Sequence, residues 1–174
     1  MSDYEWKGLV FFESKYYSAQ YLPWYYLPKT ILITTPILYI LLFIIGSFLI
    51  FKFLLSNLIN LKDSSKNIWE NKEELFCFYS LIIVFFTIVL IIELNSTLYN
   101  GWRQVYFIYP SIVFICAYGL NQLLCIKNIR KFVLTIFGIL LIYILNWNYQ
   151  NHPYQYVYYN ELINNKIIKN YELD

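Results

Sequence analysis

Apolar positions in this chain come in long blocks and not in stripes. Thr30 to Leu55, Leu75 to Ile92, Val105 to Ile126 and Phe132 to Trp147 are almost free of charge, and polar residues gather between them. A water-facing helix repeats its apolar positions every 3.6 residues; blocks without that repeat predict helices surrounded by hydrocarbon. Each block approaches or exceeds the roughly 20 residues that cross a hydrocarbon core about 30 Å thick. The pattern predicts an all-α integral membrane protein with about four transmembrane helices. Pro36 is expected to kink the first span near its start, and Gly46-Ser47 to let a neighbouring helix approach closely.

The segments between the blocks divide the chain further. Residues 1–29 read as an interfacial aromatic leader, 30–149 as the transmembrane domain, and 150–174 as an aromatic extracytoplasmic tail. In the leader, Pro23 and Pro28 are expected to break any helix, and the rings of Trp24, Tyr25 and Tyr26 suit a water–lipid boundary. Ser56 to Glu74 is a polar loop, with a surface-lying amphipathic helix expected around Ile68 and Trp69. Glu93 to Arg103 is a short connection, and Lys127 to Lys131 a tight basic turn. Tyr154, Tyr156 and Tyr158 alternate, which favours an extended tail with a row of rings on one face.

Composition supports the membrane class: 59% of the 174 residues are hydrophobic, 14% are charged, and mean hydropathy is +0.47. The net charge of +2 forms no basic patch and gives no reason to expect nucleic acid. The distribution of Lys and Arg is more telling. Counting Lys52, seven basic residues crowd the loop after the first span and the turn after the third; the other side carries six over more than twice the length. The positive-inside rule puts the crowded side in the cytoplasm. The expected protein is therefore multi-pass in the cytoplasmic (inner) membrane, with extracytoplasmic termini. Arg103, His152 and the tyrosine-rich tail would meet at its outer surface. Residues 1–20 lack the apolar core of a signal peptide, which leaves insertion to the first span.

Candidate chemistry is sparse. Cys77, Cys116 and Cys125 lie in or beside apolar spans without metal-type spacing, and His152 is the sole histidine, so neither a metal site nor a Ser-His-Asp triad is expected. No span carries an acid at its centre, as ion-coupled transporters generally do, and no glycine-rich phosphate loop is present. The stretch that stands out is Tyr99 to Pro110. Arg103 sits there at the mouth of a span, where a guanidinium can grip a lipid phosphate through two parallel hydrogen bonds, or simply anchor the helix end beside the belt of Trp102, Tyr106 and Tyr109. Glu93 can serve as a base or a metal ligand, or simply pair with Arg103. Asn95-Ser96-Thr97 matches a glycosylation triplet that arises often by chance. His152 can act as a base, donate to a phosphate, or serve structure alone.

Leu22-Pro23-Trp24-Tyr25-Tyr26-Leu27-Pro28 with Ile31 to Pro36, the Tyr99 to Pro110 stretch, and His152 to Asn160 together resemble the C-terminal half of bacterial multi-span glycosyltransferases. These have the C-type fold and are similar to the dolichyl-phosphate-mannose protein mannosyltransferases of family 39. The resemblance implies transfer of a sugar from a polyprenyl-phosphate donor to an extracytoplasmic acceptor. It implies a lipid-phosphate role for Arg103, sugar- or lipid-covering walls from Trp102, Tyr154 and Tyr156, and a lipid-phosphate or sugar contact for His152. The family's catalytic Asp lies upstream of anything matched here, so no catalytic residue is assigned. The chain is expected to be a piece of such an enzyme, inactive alone, with the missing N-terminal half as a separate partner. No cofactor is identified; a divalent cation belongs, if anywhere, to the complete enzyme. The other reading is a non-enzymatic membrane scaffold or accessory subunit.

Overall fold

The computed structural model describes residues 8–60, 72–153, 158–160, 163 and 170–171. In chain order it has strands β1 (Leu9–Phe12) and β2 (Lys15–Ser18), then helices α1 (Tyr26–Thr34), α2 (Ile37–Asn60) and α3 (Lys72–Glu93). A 3₁₀ segment (Arg103–Ile108) leads into α4 (Tyr109–Cys125), and α5 (Arg130–Gln150) follows. Four lengths, Ile37–Asn57, Leu75–Glu93, Arg103–Cys125 and Arg130–Gln150, are long and apolar enough to cross a membrane. The all-α, four-span class expected from the blocks is the class the chain adopts.

The first block divides differently from the expectation. Instead of one span from Thr30, the chain makes two helices, α1 and α2, separated at Thr35-Pro36. Pro36 has no N–H to give Leu32, and the residue before a proline is pushed out of helical geometry; Thr35 is extended at φ −99°, ψ 133°. Pro28 was expected to stop a helix, yet it stands in the first turn of α1. A missing N–H costs nothing there, because the first-turn donors have no partner within the helix. The third block also has two parts. Pro110 falls in the opening turn of α4, and the tighter 3₁₀ winding carries the chain up to it.

The leader contains an unforeseen β-hairpin. β1 and β2 pair antiparallel from Leu9 opposite Ser18 to Phe12 opposite Lys15, with Glu13 and Ser14 as a two-residue turn. Val10 and Phe12 alternate inward and are buried. The amphipathic surface helix around Ile68 and Trp69, and the row formed by Tyr154 and Tyr156, lie outside the described residues.

The chain forms two compact units. Unit 1 takes its described residues from 1–37, 86–107 and 144–174, and unit 2 from 38–85 and 108–143. In unit 2, α2 and α4 cross backbone to backbone at Gly46 and Gly119. A Cβ on Gly46 would stand 2.2 Å from the Ile115 carbonyl oxygen, and one on Gly119 would stand 2.7 Å from that of Leu42. This is the close approach expected at Gly46-Ser47. Ile50, Ile112 and Ile115 are buried in the unit, and the Cys116 thiol donates to the Tyr39 carbonyl oxygen. α5 behaves otherwise: none of its residues is buried.

Candidate functional site

Unit 1 is built around α1, and its joints are side-chain hydrogen bonds. Pro36 leaves the last carbonyls of α1 short of donors, and Asn160 supplies them. Its Nδ2 donates to Leu32 O at 2.6 Å and to Thr35 O at 2.9 Å, and its backbone N–H donates to Ile33 O at 2.8 Å. Asn160 is 1% exposed, so these carbonyls have no water to turn to.

The Tyr99 to Pro110 stretch reaches the same helix from the other side of the sequence. Asn100 (φ 53°) and Gly101 (φ 70°) form a left-handed pair, the turn that Asn-Gly favours. The turn brings the Gly101 N–H to the Tyr26 hydroxyl at 3.2 Å. It also aims the next ring inward: Trp102 is buried, its indole N–H donates to Thr34 Oγ1 at 2.8 Å, and Tyr106 meets it edge-on with centroids 4.8 Å apart. Trp102 therefore serves the interior of unit 1 and offers no open face as a sugar wall. Arg103, one residue on, is exposed at the start of the 3₁₀ segment.

The hairpin locks onto α1 through charge. Lys29 forms an ion pair and hydrogen bond with Glu13, whose other oxygen accepts from the Tyr25 hydroxyl at 3.1 Å. The Lys29 hydrogen bond holds the Glu13 carboxyl below the usual carboxylate range, and the same bond holds the Lys29 ammonium above the usual lysine range. Lys29 also lies 5.9 Å from the ring centroids of Phe12 and Tyr171. Tyr171 bridges to Phe12, and Ser14 N–H donates to Asn170 O, so the tail closes over the hairpin tip.

Of the residues singled out from sequence, Trp102 and the Asn160 end of the tail meet at α1. His152 is exposed in the turn after α5 and makes no hydrogen bond or ion pair among the described residues. Tyr154 and Tyr156 lie outside the described residues. Glu93 is exposed, and no ion pair joins it to Arg103. Among the described residues, no group of His, Cys, Asp and Glu could hold a metal ion. Asn160, Thr34 and the Glu13–Lys29 pair were not anticipated; the one available signal was Pro36, which announces a carbonyl in want of a donor.

Fold and site together define a multi-pass helical membrane protein in which the hairpin, α1, the connection after α3 and the described residues of the tail belong to one packed unit. Comparison with protein-family models, curated proteins and solved structures returns no match for this chain.

Proposed function

We propose that the chain belongs to a membrane glycosyltransferase that moves a sugar from a polyprenyl phosphate to an acceptor hydroxyl at the extracytoplasmic face of the inner membrane. One observation carries the reading. The three segments on which the resemblance to C-type glycosyltransferases rests are the three that pack together in unit 1, through Trp102 on Thr34, Gly101 on Tyr26 and Asn160 on the end of α1. Packing of that kind gives the three segments one place in the fold, which supports reading them together. The start of α2 and the last turns of α3 and α5 belong to the same unit, as expected if it lies at one membrane surface.

Arg103 is the residue that would hold the donor's phosphate. It is exposed at the mouth of a span, and Trp102 fixes the backbone just before it. A guanidinium there neutralises the charge that collects on the lipid phosphate as the sugar departs. The base that deprotonates the acceptor is assigned to no residue of this chain.

The test is transfer from a polyprenyl-phosphate sugar in reconstituted vesicles, with the chain alone and with a candidate N-terminal half added as a separate chain. Arg103→Ala is expected to lower transfer about 100-fold, the loss typical of one charge-stabilising donor. Arg103→Lys should recover little, because an ammonium cannot make two parallel bonds. Full activity in the Lys variant overturns the bidentate role; no transfer by wild type in either setting overturns the enzyme reading. The second reading, a non-enzymatic membrane subunit, is favoured by α5, an apolar span that buries none of its residues within the chain.

A further inference from the structure

A small cavity in unit 1 lies apart from Arg103. It measures about 60 Å³ and is lined by residues from the hairpin exit, the start of α1 and the end of α3, among them Gln20, Trp24, Tyr26, Ile92, Asn95 and Ser96. Trp24 stands beside it with 70% of its surface exposed, and its ring meets Tyr25 edge-on at 5.7 Å and 85°. Trp24 before α1 and Asn95 and Ser96 after α3 thus rim the same recess.

That rim is held by the end of α3. Asn95 takes a left-handed conformation (φ 47°), its N–H donates to Ile92 O at 3.2 Å, and the Ser96 N–H donates to Ile91 O at 3.1 Å. This pair of bonds is the Schellman arrangement, which finishes the helix and turns the chain sharply. The side chains of Asn95 and Ser96 make no hydrogen bond among the described residues, so their polar groups remain available to a ligand. No residue lining the cavity is charged. The start of α1 and the end of α3 both border the cavity, so their dipoles act on an anion in opposite senses and no basic side chain adds to the attraction; a cation would find no carboxylate.

A pyranose ring answers to this chemistry: one of its faces is a sheet of C–H groups that stacks on indole, and its edge carries hydroxyls that both donate and accept. One water needs roughly 10–15 Å³ of such space, so the cavity takes about four to six heavy atoms, the hydroxyl-bearing edge of a single sugar. We propose that Trp24, Asn95 and Ser96 form a binding subsite for one neutral sugar residue, the ring lying on Trp24 and its edge entering the cavity. As the seat of an acceptor or donor sugar, the subsite rests on the glycosyltransferase reading; as a sugar-binding site it is tested without it.

The experiment is saturation-transfer NMR on the protein in lipid nanodiscs free of glycoside detergents, with the methyl glycosides of glucose, mannose and N-acetylglucosamine as probes and choline as a cationic control. Saturable signal is expected from at least one glycoside and none from choline. Trp24→Ala should weaken binding about tenfold, near the upper end of what one aromatic contact supplies, while Trp24→Phe keeps part of it. Asn95→Gly, which preserves the left-handed turn, should cost about fivefold, the worth of one hydrogen bond. Absence of saturable binding by all three glycosides, equal binding in Trp24→Ala, or saturation by choline instead overturns the subsite. Glycoside binding without transfer in the vesicle assay leaves the subsite standing and rejects the enzyme reading; transfer unaffected by Trp24→Ala rejects the subsite as the seat of a donor or acceptor sugar.

Discussion

The carbonyl of Leu32 is an acceptor whose helical donor was removed when position 36 became proline, and the amide of Asn160 answers it from 128 residues away. Asn160→Ala should leave buried carbonyls at Leu32 and Thr35 without side-chain donors and lower stability by about 2–3 kcal/mol, read as a drop in Tm in nanodiscs. Asn160→Asp should do worse, since an ionised carboxylate would face those oxygens. The Glu13–Lys29 pair adds a pH signature. Glu13 titrates low in the folded chain, so its contribution is present above the unfolded carboxylate value and fades as pH falls through the folded one. Lys29 titrates high, so its contribution holds below the unfolded lysine value and fades as pH rises past the folded one. Stability from this pair is therefore present from weakly acidic to moderately alkaline pH. Melting curves of Glu13→Gln should show a shallower acid limb than wild type; equal slopes would mean that other groups set it. Neither joint was legible in the sequence, because each depends on a partner that no local pattern points to.

At the scale of elements, the spans were legible and their ends were not. A block of apolar residues tells how much chain hydrocarbon can accept, whereas α1 owes its ending to Pro36 and its place to Trp102 and Asn160. The hairpin escaped notice for a related reason. Its turn is Glu13-Ser14, both left-handed at φ 52° and 63°, where a local signal would have been Asn-Gly. The turn is held from outside, by Lys29 and by Asn170. The helix contact at Gly46 was readable because a glycine in an apolar span already suggests a crossing. Gly46→Ala and Gly119→Ala should each force α2 and α4 apart and cost about 1–3 kcal/mol. Gly138→Ala is the control. A methyl there meets nothing within 4 Å, so it should be neutral or stabilise α5 by up to about 1 kcal/mol. Equal losses in all three would show that the crossing is not what matters.

For the whole molecule, the expected meeting of Arg103's stretch with the tail holds in part. The stretch and the far end of the tail share unit 1, but what unites them is α1, a helix absent from the expectation. The charge pattern could suggest that these segments share a membrane face; only the packing tells which side chains they share. It also separates the roles of neighbours: Trp102 belongs to the interior and Arg103 to the surface, a division that adjacent letters in a sequence do not reveal.

The stitch between Leu32 and Asn160 sets an order on biogenesis. All four spans are translated between the two residues, and at roughly 5–20 residues per second a ribosome needs about 6 to 25 seconds to cover that interval. Throughout it, the end of the first helix waits with open acceptors while the translocon handles the spans, so its closure can come only after all four have been made.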